Sequence, residues 1–325
     1  MMAKVLVTGG AGFIGSHICD RLIQDGNDVV CIDSLITSQI ENIEHLFEEE
    51  RFTFLEGDIR DSNFVDEVMD GCTHVSHQAA LGSVPRSVEN PVRTNEINIA
   101  GGLNVLVSAQ RNNIQRFVFA SSSSVYGDDE GLPKVEHRTG ECLSPYAVSK
   151  MAFEKYAKVF YSIHGLETIG LRYFNVFGPR QSPSGPYAAV IPKFVQSIMN
   201  NESPKIFGDG EQTRDFTFVG NVVEANMSAL FRGNKIAFGK SINIAYGNTI
   251  SINELFIKLR ECYSNLKNTP IDLVPEHTEK RSGDIMDSLA DLTLARKGIG
   301  YSPDIDIEEG ILETVSWMID MGETG

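Results

Sequence analysis

Residues 8–15 read Thr-Gly-Gly-Ala-Gly-Phe-Ile-Gly. Gly9, Gly12 and Gly15 form a GxxGxxG run between the apolar stretch Lys4–Thr8, which reads as a buried strand, and a helical pattern over Phe13–Asp25 with Ile14, Ile18 and Leu22 on one face. Glycines permit the tight strand-to-helix turn and let backbone N–H groups approach a pyrophosphate at the helix N-terminus, beside Phe13 and Ile14. The next strand expected, Val29–Asp33, ends in Asp33, 18 positions after Gly15. A carboxylate there accepts hydrogen bonds from the adenosine ribose hydroxyls and repels a 2′-phosphate, so the pattern favours NAD over NADP.

The alternation continues. Phe52–Leu55, His74–Gln78, Phe117–Ser121 and Thr168–Phe174 read as strands, with helices over about 95–111 and 145–162. Strands and helices in this rhythm imply an α/β protein with a Rossmann doubly wound parallel sheet. Asp58-Ile59 follows the third strand and Gln78-Ala79-Ala80 the fourth. Both lie at C-terminal strand ends, where open α/β sheets bind ligands. Asp58 is placed to face adenine, and the small Ala79 and Ala80 leave room for the cofactor.

After Asn175 the rhythm breaks. Gly178–Pro186 holds three prolines and two glycines and reads as a loop. A helix over Ala188–Met199 and a short strand near Lys205–Phe207 follow. Strands over Asp215–Val219 and Ile242–Ala245 are expected to return to the first domain. Helices over Ser251–Ser264 and Ile311–Met321 belong to a smaller C-terminal α/β region. The expected division is 1–175, with 213–246 returning to it, and 176–325.

Composition narrows the partners. The 325 residues carry a net charge of −16. An acidic surface argues against general affinity for nucleic acid or anionic membrane, which need clustered Lys and Arg. No N-terminal signal is visible, and no stretch approaches the roughly 20 apolar residues of a membrane helix. The five cysteines are scattered without CxxC or zinc spacing, so reduced thiols in a cytoplasmic protein and no metal are expected.

Tyr146 and Lys150 form a YxxxK pair one helical turn apart, and Ser144-Pro145 before them reads as a helix start. A Lys ammonium beside the phenol is expected to lower its pKa, so that the phenolate accepts a proton near neutral pH. YxxxK alone arises on many helices. Here Ser121-Ser122-Ser123-Ser124 closes the fifth strand, so that a serine hydroxyl can reach the same substrate oxygen as the phenol.

TGGAGFIG, SSSSVYG, SPYAVSK and RYFNVFGPR together resemble the extended short-chain dehydrogenase family that modifies nucleotide sugars, over nearly the whole chain. The resemblance makes Ser122 the catalytic serine, with Ser123 and Ser124 close by, Tyr146 the base, and Lys150 the lysine that also holds the nicotinamide ribose. It assigns Gly9, Gly12, Gly15 and Asp33 to NAD, brings Asn98 near the cofactor, sets Tyr173 near nicotinamide and sets Asn175 at the substrate diphosphate. Ser34 and Ser38 depart from the family's usual residues after strand two. The family also implies a homodimer paired through the helices at about 95–111 and 145–162.

Related dehydratases carry Asp and Glu directly after the catalytic Ser or Thr, and decarboxylases tend to place Glu where Ser124 stands. Ser123 and Ser124 are not effective acids at neutral pH, which leaves reversible 4-epimerisation as the expected reaction. Ala189, Val190, Lys193, Arg214, Arg281 and Asp284 resemble residues that hold UDP in such epimerases, in the C-terminal nucleotide-sugar-binding part. Gln78–Ser87 resembles the bacterial and archaeal UDP-N-acetylglucosamine 4-epimerases, which sets Ser83 and Arg86 at the sugar. Ser288 stands where the family borders the sugar 2-substituent, and its small side chain leaves volume for an acetamido group. UDP-glucuronate or UDP-glucose 4-epimerisation stays open. So does a non-catalytic NAD-binding regulatory role, against which the Ser122/Tyr146/Lys150 set argues.

Overall fold

The computed structural model describes residues 2–183, 188–279 and 286–324. Strands β1 (Lys4–Thr8), β2 (Asp28–Asp33), β3 (Phe52–Glu56), β4 (His74–His77), β5 (Arg116–Ser122), β6 (Glu167–Tyr173) and β7 (Lys240–Ile244) form a seven-stranded sheet. Its order is β3-β2-β1-β4-β5-β6-β7, and every neighbouring pair is parallel. The order reverses between β1 and β4, so a crevice opens beyond their C-terminal ends.

The sheet is buried on both faces because its strands are apolar on both. In β1, Val5 and Val7 enter one core, while Leu6 between them enters the other. The first core is covered by α1 (Phe13–Gln24), the second by α2 (Ser62–Val68). The chain then runs through α3 (Val84–Glu89), α4 (Pro91–Asn95), a wide π turn over Glu96–Gly101 and α5 (Gly102–Arg111). The continuous helix expected over 95–111 thus contains a π insertion. Gly102 within it lies so close to α6 (Pro145–His164) that a Cβ there would sit 2.8 Å from the Phe153 ring. Each fully buried Val, Leu or Ile in these layers contributes about 1.5–3 kcal/mol.

Beyond α6 a third core gathers α7 (Val190–Met199) with later helices. The strand expected over Asp215–Val219 is shorter than that, and it does not enter the sheet. Thr217–Phe218 pairs only with Val176–Phe177, and helix α8 (Val219–Arg232) begins at once. Asp215 is the physical reason: its buried carboxylate accepts the Tyr246, Gly247 and Ala290 N–H groups, so the segment follows those donors instead of a ladder. The strand expected over 242–245 does return, as β7 beside β6. Helices α9 (Ile252–Lys267), α10 (Thr293–Ile299) and α11 (Ile307–Thr324) complete the chain, α9 and α11 packing into the third core and α10 against the first.

Candidate active site

A cleft of about 460 Å³ opens at the C-terminal ends of β1, β2, β4 and β5. One wall is the glycine turn. Gly9 has φ +69°, and a Cβ on it would lie 2.6 Å from the Ala79 N atom. A Cβ on Gly15 would lie 2.1 Å from the Gly9 carbonyl oxygen. Only hydrogen fits at either position. Gly12 caps α1 with extended backbone and no side chain bonds the first-turn N–H groups. Those donors point at the cleft as a ready anion seat, so the turn fits a dinucleotide pyrophosphate. Phe13, Ile14, Ile59, Ala79 and Ala80 line the same cleft.

Asp33 is buried at its expected place. Its Oδ2 accepts the Ala11 N–H at 3.1 Å, and its Oδ1 accepts the Leu35 N–H at 2.9 Å and the Ser38 hydroxyl at 2.5 Å. Ser38, a departure from the family pattern in the sequence, therefore orients the carboxylate. One lone pair on Oδ2 is left for a ribose hydroxyl. Asp58 also lines the cleft, paired with Arg60 at 2.7 Å, and that guanidinium holds its carboxyl below the usual range.

Beside the glycine turn, Gln78 and Tyr173 also line the cleft. The Tyr173 hydroxyl donates to Gln78 Oε1 at 3.1 Å, and Asn226 of α8 donates to Tyr173 at 2.9 Å. Burial pushes the phenol far above its ordinary range, so Tyr173 is a fixed neutral wall rather than an acid. Asn226 has no motif around it. Fully buried and outside the cleft lining, it holds Gln78 and Tyr173 from behind because α8 packs back on the sheet.

Ser144 caps α6 by accepting the Ala147 N–H, and Pro145 occupies the first turn, as the sequence predicts. Tyr146 and Lys150 both face the cleft. The Tyr146 phenol lies near the Ser122 hydroxyl at the end of β5, close enough for that hydroxyl to lower its pKa. The expected lowering of the phenol by Lys150 is not what the structure holds. Burial pushes Tyr146 up, and the nearby Ser122 hydroxyl offsets part of that rise. Lys150 instead donates to the Ala120 carbonyl at 2.8 Å, and its Nζ stands 5.8 Å from the Tyr146 ring centre. Burial brings its own pKa down to about 8.

The serine run divides its labour. Ser121 donates to Glu154 at 2.5 Å, and Glu154 in turn holds Arg172 in a buried ion pair at 2.8 Å. Removing one partner of such a pair costs about 3–5 kcal/mol, so this network fixes the end of β5. Ser122 also accepts the Ser124 N–H. The Ser124 hydroxyl is buried with no partner among the described residues. Ser123 is half-buried beside them.

Asn98 does not line the cleft. It sits in the π turn and clips the chain at Leu81 to α6, accepting the Leu81 N–H at 2.7 Å and donating to Ser149 at 3.0 Å. Ser83, with φ +94°, and Arg86 line the cleft mouth. Asn175 has φ +36° and donates to the Asp215 carbonyl, outside the cleft lining. Arg214 donates to the Thr213 and Met286 carbonyls. Ala189, Val190 and Lys193 cluster at the start of α7, and Ser288 is half-buried on the C-terminal segment. Arg281 and Asp284 lie outside the described residues. Among the described residues no helix is long and apolar enough to cross a membrane, and no His, Cys, Asp and Glu group could hold a metal ion.

Known proteins share this arrangement. The sequence model of the NAD dependent epimerase/dehydratase family matches residues 5–245. A putative UDP-glucose 4-epimerase of Methanocaldococcus jannaschii is 40% identical over 97% of this chain and 98% of its own. The structure of a UDP-N-acetylglucosamine 4-epimerase from Methanobrevibacter ruminantium, in complex with UDP-N-acetylmuramic acid, is 42% identical with a TM-score of 0.90, covering 98% of this chain and 99% of that one. The structure of a UDP-glucose 4-epimerase from Thermotoga maritima with UDP-glucose is 34% identical with a TM-score of 0.88, over 98% and 99% of the two chains. The chain belongs to the NAD dependent epimerase/dehydratase family.

Proposed function

We propose that this protein interconverts UDP-N-acetylglucosamine and UDP-N-acetylgalactosamine by inverting C4 of the sugar. At the coarser level it is an NAD-dependent UDP-sugar 4-epimerase, an isomerase. The observation that carries the reading is Tyr146 and Lys150 together in the cleft that the glycine turn closes, with the Ser122 hydroxyl near enough to lower the phenol's pKa.

The seat for NAD is the turn Gly9, Gly12 and Gly15 with Phe13 and Ile14. Asp33, Asp58 and Ile59 flank the adenosine side, and Gln78, Ala79, Ala80 and Tyr173 flank the nicotinamide side. Bound NAD supplies a reversible hydride acceptor, and because the hydride is returned to the same sugar the cofactor is regenerated in each cycle. Tyr146 takes the proton of the 4-hydroxyl, directly or through Ser122, and returns it after the sugar has turned over. Lys150, anchored on the Ala120 carbonyl, holds the nicotinamide ribose. A sugar hydroxyl satisfies the orphaned Ser124 hydroxyl, and Ser123 borders it. Asn98 acts through the Leu81 loop it clips to α6.

In this reading 1–175 with the return at 213–246 carries NAD, and the rest from 176 holds the UDP-sugar. Asn175, Ala189, Val190, Lys193, Arg214, Arg281 and Asp284 take the UDP, while Ser83, Arg86 and Ser288 border the sugar. Free thiols at all five cysteines suit a reducing cytoplasm. Two chains pair through α6 and the helix at about 95–111.

The test is to incubate the pure protein with UDP-N-acetylglucosamine without added NAD and to separate the products chromatographically. UDP-N-acetylgalactosamine is expected. No product after NAD is supplied, together with turnover of UDP-glucose or UDP-glucuronate, overturns the N-acetyl assignment. Product that forms only with added NAD keeps the chemistry and discards a tightly retained cofactor.

A further inference from the structure

A second cleft, of about 760 Å³, lies at the edge of the sheet between α6, β7 and α10. It shares no lining residue with the cleft described above. Lys155 and Lys158 of α6, Lys240 at the start of β7 and Lys297 of α10 all line it. Among the described residues none of these four ammonium groups has a hydrogen bond or an ion pair. Four unpaired cations around one cavity are unexpected in a chain of net charge −16, where an acid would ordinarily be at hand for each.

The acids of the cleft are already engaged. Glu154 is bound to Arg172 and Ser121. Glu136 accepts the Asn243 N–H, and Asp291 accepts the Thr293 N–H and hydroxyl. With Arg172 and Glu154 cancelling, the four lysines outnumber the two remaining carboxylates, and the cleft is net cationic. One wall is apolar and aromatic: the Tyr161 and Phe238 rings meet edge to face at 6.2 Å, with Leu294 beside them. Lys155, Lys158 and Ser162 follow one face of α6 at helical spacing. The exposed apolar residues Tyr156, Val159 and Ile163 follow the neighbouring face, so pairing two chains there leaves this cleft open.

We propose that this cleft is a second ligand site, which takes an organic polyphosphate of nucleotide size. Its phosphates lie among the four lysines, which act as mobile point charges, and its planar body lies on the Tyr161–Phe238 wall. The site is independent of which UDP-sugar the enzyme turns over. Its floor touches the catalytic machinery, because Arg172 pairs with Ser121 across β5 and β6 and precedes Tyr173.

The test is calorimetric titration of the enzyme, saturated with NAD and UDP to fill the first cleft, with inorganic tripolyphosphate and with adenosine triphosphate, free of magnesium. Both are expected to bind once per chain, with adenosine triphosphate the tighter. The double variant Lys158→Glu/Lys240→Glu is expected to weaken both by about tenfold or more while its epimerase turnover stays normal. The control Lys205→Glu/Lys235→Glu, at exposed lysines that do not line the cleft, keeps the affinity. No saturable binding, unchanged affinity in the cleft variant, or equal loss in the control overturns the site. Equal affinity for the two probes overturns the organic part of the ligand.

Discussion

At the residue scale the chemistry rests on one phenol whose pKa is set by opposing influences. Burial raises Tyr146 and the Ser122 hydroxyl lowers it, while Lys150 spends a hydrogen bond on the Ala120 carbonyl. Tyr146→Phe removes the proton acceptor and leaves the ring, so kcat is expected to fall by about 10²–10⁴-fold while NAD still co-purifies. Turnover by single-wavelength coupled assay and NAD release on denaturation check the two halves, and full activity in the variant removes Tyr146 as the base. These residues were readable from the chain because each stands in a local pattern: three glycines at fixed spacing, an aspartate at a strand end, Tyr and Lys one turn apart. Ser121, Glu154 and Arg172 were not, since their network joins positions up to 51 apart through the register of β5 on β6. In the sequence Ser38 is only a departure from the family pattern; its role follows from the fold, where the loop after β2 folds back on Asp33.

At the element scale the strand ends must be held in line for the cleft to exist. His77 closes β4, fully enclosed between the sheet and α6, and its Nδ1 is hydrogen-bonded to Thr8 at the end of β1 at 2.7 Å. Burial, with Lys150 adding to it, pushes its pKa down to about 3. The unfolded chain binds that proton from about pH 6.5, so between those values the unfolded state holds more protons than the native one. Stability therefore rises with pH across that window and is lost on acidification. The expected outcome is a wild-type Tm that falls between pH 7 and 4 more steeply than that of His77→Gln, followed by circular dichroism. Parallel curves would assign the acid sensitivity elsewhere. Hydrophobic rhythm located the parallel strands well, because a doubly buried strand is apolar throughout. It misplaced the strand at Asp215–Val219, whose apolar residues serve a short ribbon and the start of α8. Periodicity records burial, not the partner that provides it.

At the scale of the whole molecule α6 serves three surfaces. One face carries Tyr146 and Lys150 to the cleft, another carries Lys155 and Lys158 to the second cavity, and the third leaves Val148, Val159 and Ile163 exposed, Ile163 by 70%. With Val92 of α4 also 67% exposed, this makes an apolar patch of the kind that a second chain covers. Light scattering is expected to give twice the 35.8 kDa chain mass, and Val159→Glu/Ile163→Glu to give the single chain. A wild-type monomer would remove the pairing. The substrate-side residues are the least legible in the sequence, because Arg214, Lys193 and Ser288 stand in no local pattern and only resemblance singles them out.

The wall made by Gln78, Tyr173 and Asn226 has a bearing on how the protein is made. Its three side chains come from positions 95 and 53 residues apart along the chain. A ribosome delivers them in order, and until Asn226 has emerged Tyr173 lacks the donor that fixes it. The dinucleotide crevice is thus finished late, after most of the sheet has been synthesised. A fully braced crevice thus waits for α8, and a nascent fragment ending before it has the glycine turn, Gln78 and Tyr173 but not the Asn226 amide that fixes Tyr173.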